Sequence, residues 1–208
     1  MKPPSYETSV FINCPFDRLY QPLFRALFFA VHDCGYAVRS ALEVEDSGEA
    51  RYGKLLRLIG ECRYGIHDIS RVQLDSAHRL PRFNMPLELG LFLGAARFGD
   101  RRQRTKRCLV LETERYRFQR FCSDLAGQDI QAHHGKPRLA IEVVRNWLSA
   151  PSAAQGTMIP SGSRIAARYA SFLRDLPDWC HALHLNPREL TFSDFGFLTT
   201  QWLEENRL

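Results

Sequence analysis

One apolar stretch decides how this chain folds: Arg82-Phe-Asn-Met-Pro-Leu-Glu-Leu-Gly-Leu-Phe-Leu-Gly-Ala-Ala-Arg-Phe-Gly99. Pro86 fits the opening turn of a helix and a glycine closes the stretch, so the sequence predicts a helix from about Met85 to Phe98. Its leucines and phenylalanines leave almost no polar face, which is typical of a helix buried in a larger body. Gly90 and Gly94 each cost roughly 1 kcal/mol relative to alanine inside a helix. We therefore expect another part of the protein to approach that face closely.

Glu88 is the only acidic residue of this stretch. A carboxylate in the first turn of a helix is favoured by the macrodipole, typically by about 0.3–1 kcal/mol, and this is one interpretation. A capping box is excluded, because the residue three positions earlier is Met85. The other interpretation is a reactive carboxylate that the helix N-terminus holds ionised at the mouth of a site. Both interpretations remain open at this point.

Short β-branched and apolar segments precede and follow this helix along the chain. The predicted strands are Ser9–Asn13, Tyr36–Leu42, Tyr64–Ile69, Arg107–Leu111 and Ile130–His133. Helical patterns separate them, which favours parallel pairing, right-handed crossovers and helices on both faces of the sheet. The predicted fold is therefore α/β, a flavodoxin-like parallel five-stranded sheet with a C-terminal helical extension.

The chain divides by composition into three parts. Residues 1–150 form the α/β domain, residues 151–163 lack charge and are predicted to be a linker, and residues 164–208 form the helical extension. The extension carries more aromatic side chains than two short helices can bury against each other. They are Tyr169, Phe172, Trp179, Phe195, Phe197 and Trp202. We expect them to pack on the domain's own outer face or on a second copy of the chain in a symmetric dimer, and the second choice favours a homo-oligomer.

Length and composition exclude several classes of protein. The 208 residues are 45% hydrophobic, no run of 18 apolar residues occurs, and the first residues lack the apolar core of a signal peptide. We expect a cytoplasmic protein with no membrane partner. The net charge of +5 is concentrated between Arg97 and Arg107, which predicts a local solvated loop or partner surface rather than a nucleic-acid-binding protein.

Polar side chains cluster where the predicted strands end. Ligands of open parallel sheets bind outside the carboxyl ends of the strands, so these side chains are expected to share one site. They are Asn13, Phe16, Asp17, Asp46, Asp68, Ser70, Arg71 and Asn84, with Glu88 beside them. The long connection from Ser70 to Phe83 also carries His78, Arg79 and Arg82. It is expected to be either a lid over a phosphate-bearing ligand or a solvated loop.

Two motifs carry a family resemblance. Ser9-Val-Phe-Ile-Asn-Cys-Pro-Phe-Asp17 resembles the first strand and Pro-Phe loop of nucleoside 2-deoxyribosyltransferases, which adds Pro15 to the substrate-binding set. Asn84-Met-Pro-Leu-Glu-Leu-Gly-Leu-Phe-Leu-Gly94 resembles their helix whose glutamate attacks the sugar C1′. The organisation is also similar to that of Toll/interleukin-1 receptor (TIR) domains, whose glutamate on the helix after strand three cleaves NAD.

The resemblance implies an activity for these residues. It implies an enzyme that cleaves or transfers at the N-glycosidic bond of a nucleotide or nucleoside, of the kind found in bacterial defence or stress signalling. Glu88 would act as nucleophile or oxocarbenium stabiliser and Asp68 as the second catalytic group. No metal or cofactor is expected, and NAD or another nucleotide would be a substrate. The alternative is a non-catalytic nucleotide-sensing or assembly module of the same fold.

Overall fold

Five parallel strands form one sheet in the order β2-β1-β3-β4-β5. The computed structural model describes residues 5–43, 48–74, 79–81 and 83–207. The strands are β1 (Ser9–Asn13), β2 (Ala37–Arg39), β3 (Tyr64–Asp68), β4 (Arg107–Glu112) and β5 (Gln131–Ala132). The helices are α1 (Gln21–Asp33), α2 (Arg51–Glu61), α3 (Asn84–Phe98), α4 (Pro137–Ala154), α5 (Gly162–Ala182) and α6 (Phe192–Glu205). The predicted flavodoxin-like sheet is confirmed.

Alternation along β1 explains why both faces of the sheet are covered. Val10 and Ile12 face a large core that includes side chains of α1 and α4, while Phe11 packs against α2 and α3. Successive side chains of a strand point to opposite faces, so a strand buried on both faces is apolar throughout. Because every crossover returns to the same edge, the carboxyl ends of β1 and β3 lie side by side.

The C-terminal helices α5 and α6 form a further layer over α1 and α4. Tyr169, Phe172, Phe195 and Trp202 are buried, and Phe29 of α1 stacks on Phe172 with ring centroids 5.3 Å apart. Of the two packing partners expected for these aromatic rings, the structure shows the one within the same chain. Trp202 is therefore buried within its own chain.

The predicted linker is shorter than expected. Helix α4 continues through Pro151 to Ala154, and only the residues between Ala154 and Gly162 lie outside helices. Pro151 is buried, and the hydroxyl of Ser152 donates to the carbonyl of Leu148. Burial of this turn outweighs the cost of a proline inside a helix. Local sequence patterns do not reveal this burial.

The α3 helix is exposed to a degree that its sequence does not suggest. Within α3, burial is confined to Leu89 and Phe92, and Leu87 is 54% exposed. No described atom outside the helix backbone lies within 4 Å of where a Cβ would stand at Gly90 or Gly94. Within the described part of the chain, the expectations of a buried helix and of a close neighbour at its glycines are therefore wrong. The reason is that none of the described helices forms a second layer over α2 and α3, as α5 and α6 do over α1 and α4.

The basic run is partly structural. Lys106 donates from Nζ to the carbonyl of Ile59 at 2.6 Å, and Arg104 donates to the carbonyl of Gly99 at 3.1 Å. Burial lowers the pKa of Lys106 to about 8. These two side chains therefore stabilise the turn between α3 and β4 and are not available as a surface for a partner. None of the helices within the described ranges combines the length and apolar character needed to cross a bilayer.

Two glycine substitutions test the packing of α3. A Cβ at Gly99 would lie 2.4 Å from the carbonyl oxygen of Ala95, so Gly99→Ala is expected to lower the free energy of unfolding by about 1–3 kcal/mol. Gly90→Ala is the matched control and is expected to raise it by up to about 1 kcal/mol, because alanine favours the helix. Urea unfolding of both variants measures this. A Gly99→Ala protein as stable as the parent contradicts the packing described.

Candidate functional site

A cleft of about 560 Å³ opens at the carboxyl edge of the sheet. Its lining residues are Pro15, Phe16, Asp17, Leu42, Arg51, Arg71, Gln73, Leu74, Asn84 and Met85. Ligand pockets commonly measure about 300–1,000 Å³, so the cleft has the size of a small-molecule site. Of the expected substrate-binding residues it brings together Pro15, Phe16, Asp17, Arg71 and Asn84. Asp46 lies outside the described residues.

Two helices begin at this cleft without a side-chain cap. The residues before α2 and α3 are Ala50 and Phe83, and neither provides a side-chain hydrogen bond to its helix. Arg51, the first residue of α2, forms no ion pair with any residue in the described parts of the chain. Free amide groups at helix starts and an unpaired guanidinium both attract anions. The cleft is therefore suited to a ligand that carries a phosphate or carboxylate.

Asp17 and Arg71 are paired across the cleft. Arg71 donates to the carboxylate of Asp17 at 2.7 Å, and the same carboxylate accepts from the backbone N–H groups of Leu19 and Tyr20. Asp17 therefore stabilises the chain just before α1, which lies at the cleft wall. The long connection after β3 is closed by an antiparallel bridge between Leu74 and Pro81. His78 and Arg82 lie outside the described residues, so the lid stays a prediction.

Glu88 lies one helical turn beyond Asn84 and is half-buried. It is not among the residues that line the cleft. Burial raises the pKa of Glu88 to about 7, and attraction to Arg51 opposes this rise. Because α3 begins at Asn84, Glu88 stands in the second turn, where the macrodipole is weak. The expected place of Glu88 in the first turn of the helix is therefore wrong, because α3 begins at Asn84. A reactive role for Glu88 stays a prediction.

Asn13 lies beneath the cleft rather than in its wall. Its side-chain amide is 1% exposed and donates to Nδ1 of His67 at 3.0 Å and to the carbonyl of Met85 at 2.9 Å. Both amide hydrogens are used, so Asn13 joins β1 and β3 to the first turn of α3. Burial lowers the pKa of His67 to about 3, which keeps Nδ1 free to accept this bond at neutral pH.

Asp68 is enclosed on the face of the sheet opposite to Asn13. Its carboxylate accepts from the hydroxyl of Tyr20 and from the N–H of Ser70 at 2.8 Å. Nε2 of His133 lies 2.9 Å from the same carboxylate, and Nδ1 of His133 accepts from the N–H of Gly135. Asp68 is fully buried and Ser70 nearly so. The structure therefore places these two residues behind the cleft, in contact with side chains and not with its open space.

Sequence reasoning did not identify the roles of Arg51, Tyr20 and His133. Arg51 follows the acidic turn at the start of a helix, a position that could have indicated a cleft residue. Tyr20 and His133 reach Asp68 from positions 48 and 65 residues away, and no local pattern signals such a contact. Long-range contacts of this kind become visible only when the strand order is known.

Comparison with models of protein families, with curated proteins and with solved structures finds no match to this chain. Within the described ranges, no group of three or more histidine, cysteine, aspartate or glutamate side chains is placed to hold a metal ion. The geometry of the cleft is therefore what supports a function.

The raised pKa of Glu88 predicts a pH-dependent effect of Glu88→Gln on stability. The folded chain holds the proton up to about pH 7 and the unfolded chain only to about 4.5, so ionisation destabilises the fold as pH rises between these values. Glu88→Gln removes this cost. We expect the variant and the parent to have equal melting temperatures below pH 4.5 and the variant to have the higher one above pH 7. Each kcal/mol of ionisation cost that the variant removes raises its melting temperature by about 2–4 °C. Thermal unfolding across this pH range measures the difference in melting temperature. A variant whose melting temperature does not exceed that of the parent above pH 7 contradicts the burial of a charge.

The enclosure of Asp68 predicts a stability cost for Asp68→Asn. The amide offers one acceptor in place of two, and one of the surrounding donors loses its partner. We expect the free energy of unfolding to fall by about 1–3 kcal/mol. Asp178→Asn on the exposed face of α5 is the matched control and should change it by less than about 0.5 kcal/mol. Equal stability of the two variants in urea would mean that Asp68 has no structural role.

Proposed function

We propose that the protein cleaves the N-glycosidic bond of a nucleotide or nucleoside, or catalyses a transfer reaction at that bond. Glu88 acts as nucleophile or oxocarbenium stabiliser. The observation that carries the proposal is a half-buried carboxylate, with its pKa raised to about 7, one helical turn from the cleft-lining residue Asn84. A titratable group that is perturbed by desolvation and lies beside a cleft is a candidate functional residue.

The chemistry suits a single carboxylate. Departure of a base from a sugar leaves positive charge on the sugar ring, which an ionised carboxylate attracts or traps covalently. At neutral pH a carboxyl group with a pKa of about 7 is ionised in a large fraction of molecules. Partial burial strengthens its attraction to the developing cation, because little water lies between the charges. Arg51 then has a separate task, namely to attract the phosphate of a nucleotide.

Asp68 enters the proposal as a positioning residue. Its carboxylate holds the backbone of Ser70, the residue before Arg71, and thereby sets where Arg71 enters the cleft. No open space adjoins it, since it is fully buried. The role of an acid for the departing base, which its place at a strand end suggested, has less support than this positioning role.

The second candidate function is a nucleotide-sensing module without catalysis. It is favoured by one observation, that Glu88 does not line the cleft. All six cysteines are free thiols, which fits a reducing compartment, and we propose that the protein acts in the cytoplasm. Association with a second copy stays a prediction. The observation that supports it is the exposed side of α3, where Leu87 and Phe98 are open to solvent.

Release of free base tests the proposed reaction. The protein is incubated with NAD, nucleoside monophosphates and deoxynucleosides, and products are separated by chromatography. We expect Glu88→Gln to lose base release by orders of magnitude while it remains folded, and kcat/KM of the parent to rise with pH through about 7. Glu205→Gln, exposed on α6, is the matched control and should keep full activity. Full activity of Glu88→Gln rules out the role of Glu88 in the reaction. Binding without base release by the parent rules out the proposed reaction and supports the sensing module.

A further inference from the structure

A second, smaller cavity adjoins the cleft on the side of α1 and α6. It measures about 130 Å³ and shares Pro15, Phe16, Asp17 and Leu42 with the larger cleft. A volume of this size is below the usual range for a whole ligand, about 300–1,000 Å³. Because the two cavities share a wall, the smaller one is suited to hold one part of a ligand that also occupies the cleft.

Aromatic rings form the inner wall of this small cavity. Phe16 meets Phe24 edge to face with ring centroids 5.7 Å apart, and Phe24 lies 6.4 Å from Phe192 at a tilt of 35°. Phe16 is 39% exposed and lines both cavities, so part of its ring is open to a ligand. Aromatic rings favour other planar rings as neighbours through stacked and edge-to-face contacts. The wall is therefore selective for a flat aromatic group.

Polar groups at the rim provide hydrogen bonds for such a ring. Arg25 is engaged, because it donates to the carbonyl of Pro187 at 3.1 Å and lies over the ring of Phe195. Gln21 and Arg18 are exposed, and their side chains form no hydrogen bond within the described parts of the chain. The amide of Gln21 offers both a donor and an acceptor, which matches the edge of a nucleobase.

We propose that this cavity, the aromatic subsite, binds a nucleobase of a ligand whose phosphate lies at Arg51 and Arg71 in the main cleft. The inference rests on the proposed function and extends it to the C-terminal helices, since Phe192 opens α6. Glu88 lies on α3, across the sheet from α1 and α6. The base in the aromatic subsite is thus not the group released at Glu88, and the substrate carries a ring at each end with phosphate between them.

A pair of probes that differ only by the base tests the subsite. Adenosine monophosphate carries the ring and ribose 5-phosphate lacks it, and the affinity of the full chain for each is measured by calorimetry. We expect Phe192→Leu to weaken binding of adenosine monophosphate about tenfold, as loss of a base-stacking ring does, and to leave ribose 5-phosphate unchanged. Phe197→Leu, exposed on the same helix and outside the cavity, is the matched control and should change neither affinity.

A second variant distinguishes loss of the subsite from a change in the fold caused by Phe192→Leu. Gln21→Ala removes an exposed amide that forms no hydrogen bond within the described residues, and it should also weaken the binding of adenosine monophosphate selectively. Arg51→Gln should weaken both probes, because both carry phosphate. Three results would each overturn the subsite. They are equal affinity of the parent for both probes, no measurable binding of adenosine monophosphate, and equal losses of affinity for both probes in Phe192→Leu. These experiments measure binding, so their results do not change if the proposed reaction does not occur. Conversely, base release that depends on Glu88 can be observed even if the subsite does not bind a nucleobase.

Discussion

The side-chain amide of Asn13 connects the ends of two parallel strands to the helix that carries Glu88. One N–H donates to His67 on β3 and the other to the carbonyl of Met85 in α3, and no water reaches the amide. Gly65 makes this contact possible, because a Cβ there would lie 2.7 Å from Nε2 of His67. The link sets where α3 begins relative to the sheet. The position of Glu88 and the start of the cleft wall both follow from it.

The buried Asp68 and the half-buried Glu88 have different environments at this edge of the sheet. Asp68 accepts hydrogen bonds from Tyr20 and Ser70, and Nε2 of His133 lies 2.9 Å from its carboxylate, so these contacts compensate it for the loss of water. Glu88 has attraction to Arg51 and no hydrogen bond to any described residue, so burial raises its pKa. Different environments give carboxyl groups different roles within one site. In this protein Asp68 stabilises the framework, and Glu88 is a carboxylate that has no hydrogen-bond partner among the described residues.

The sheet was predictable from the sequence because its strands are apolar on both faces and alternate with helical patterns, as β1 and β3 show. The exposure of α3 was not predictable, because an apolar composition indicates a need for burial and not whether a covering layer exists. Helix α4 passes through Pro151, since tertiary burial overrides the local preference of proline. At the site, the cleft residues near β1 follow from the strand-end rule. The partners of Asp68 do not, because Tyr20 and His133 are distant in sequence.

We propose that burial leaves Glu88 poised between its two protonation states beside a cleft that is suited to anions. The most direct test is the titration of the Glu88 carboxyl carbon by NMR in protein labelled at glutamate, with Glu88→Gln used to assign the signal. We expect a midpoint near pH 7 and a higher midpoint in Arg51→Gln, because the attraction of the guanidinium is removed. A midpoint near 4.5, unchanged by Arg51→Gln, would contradict it.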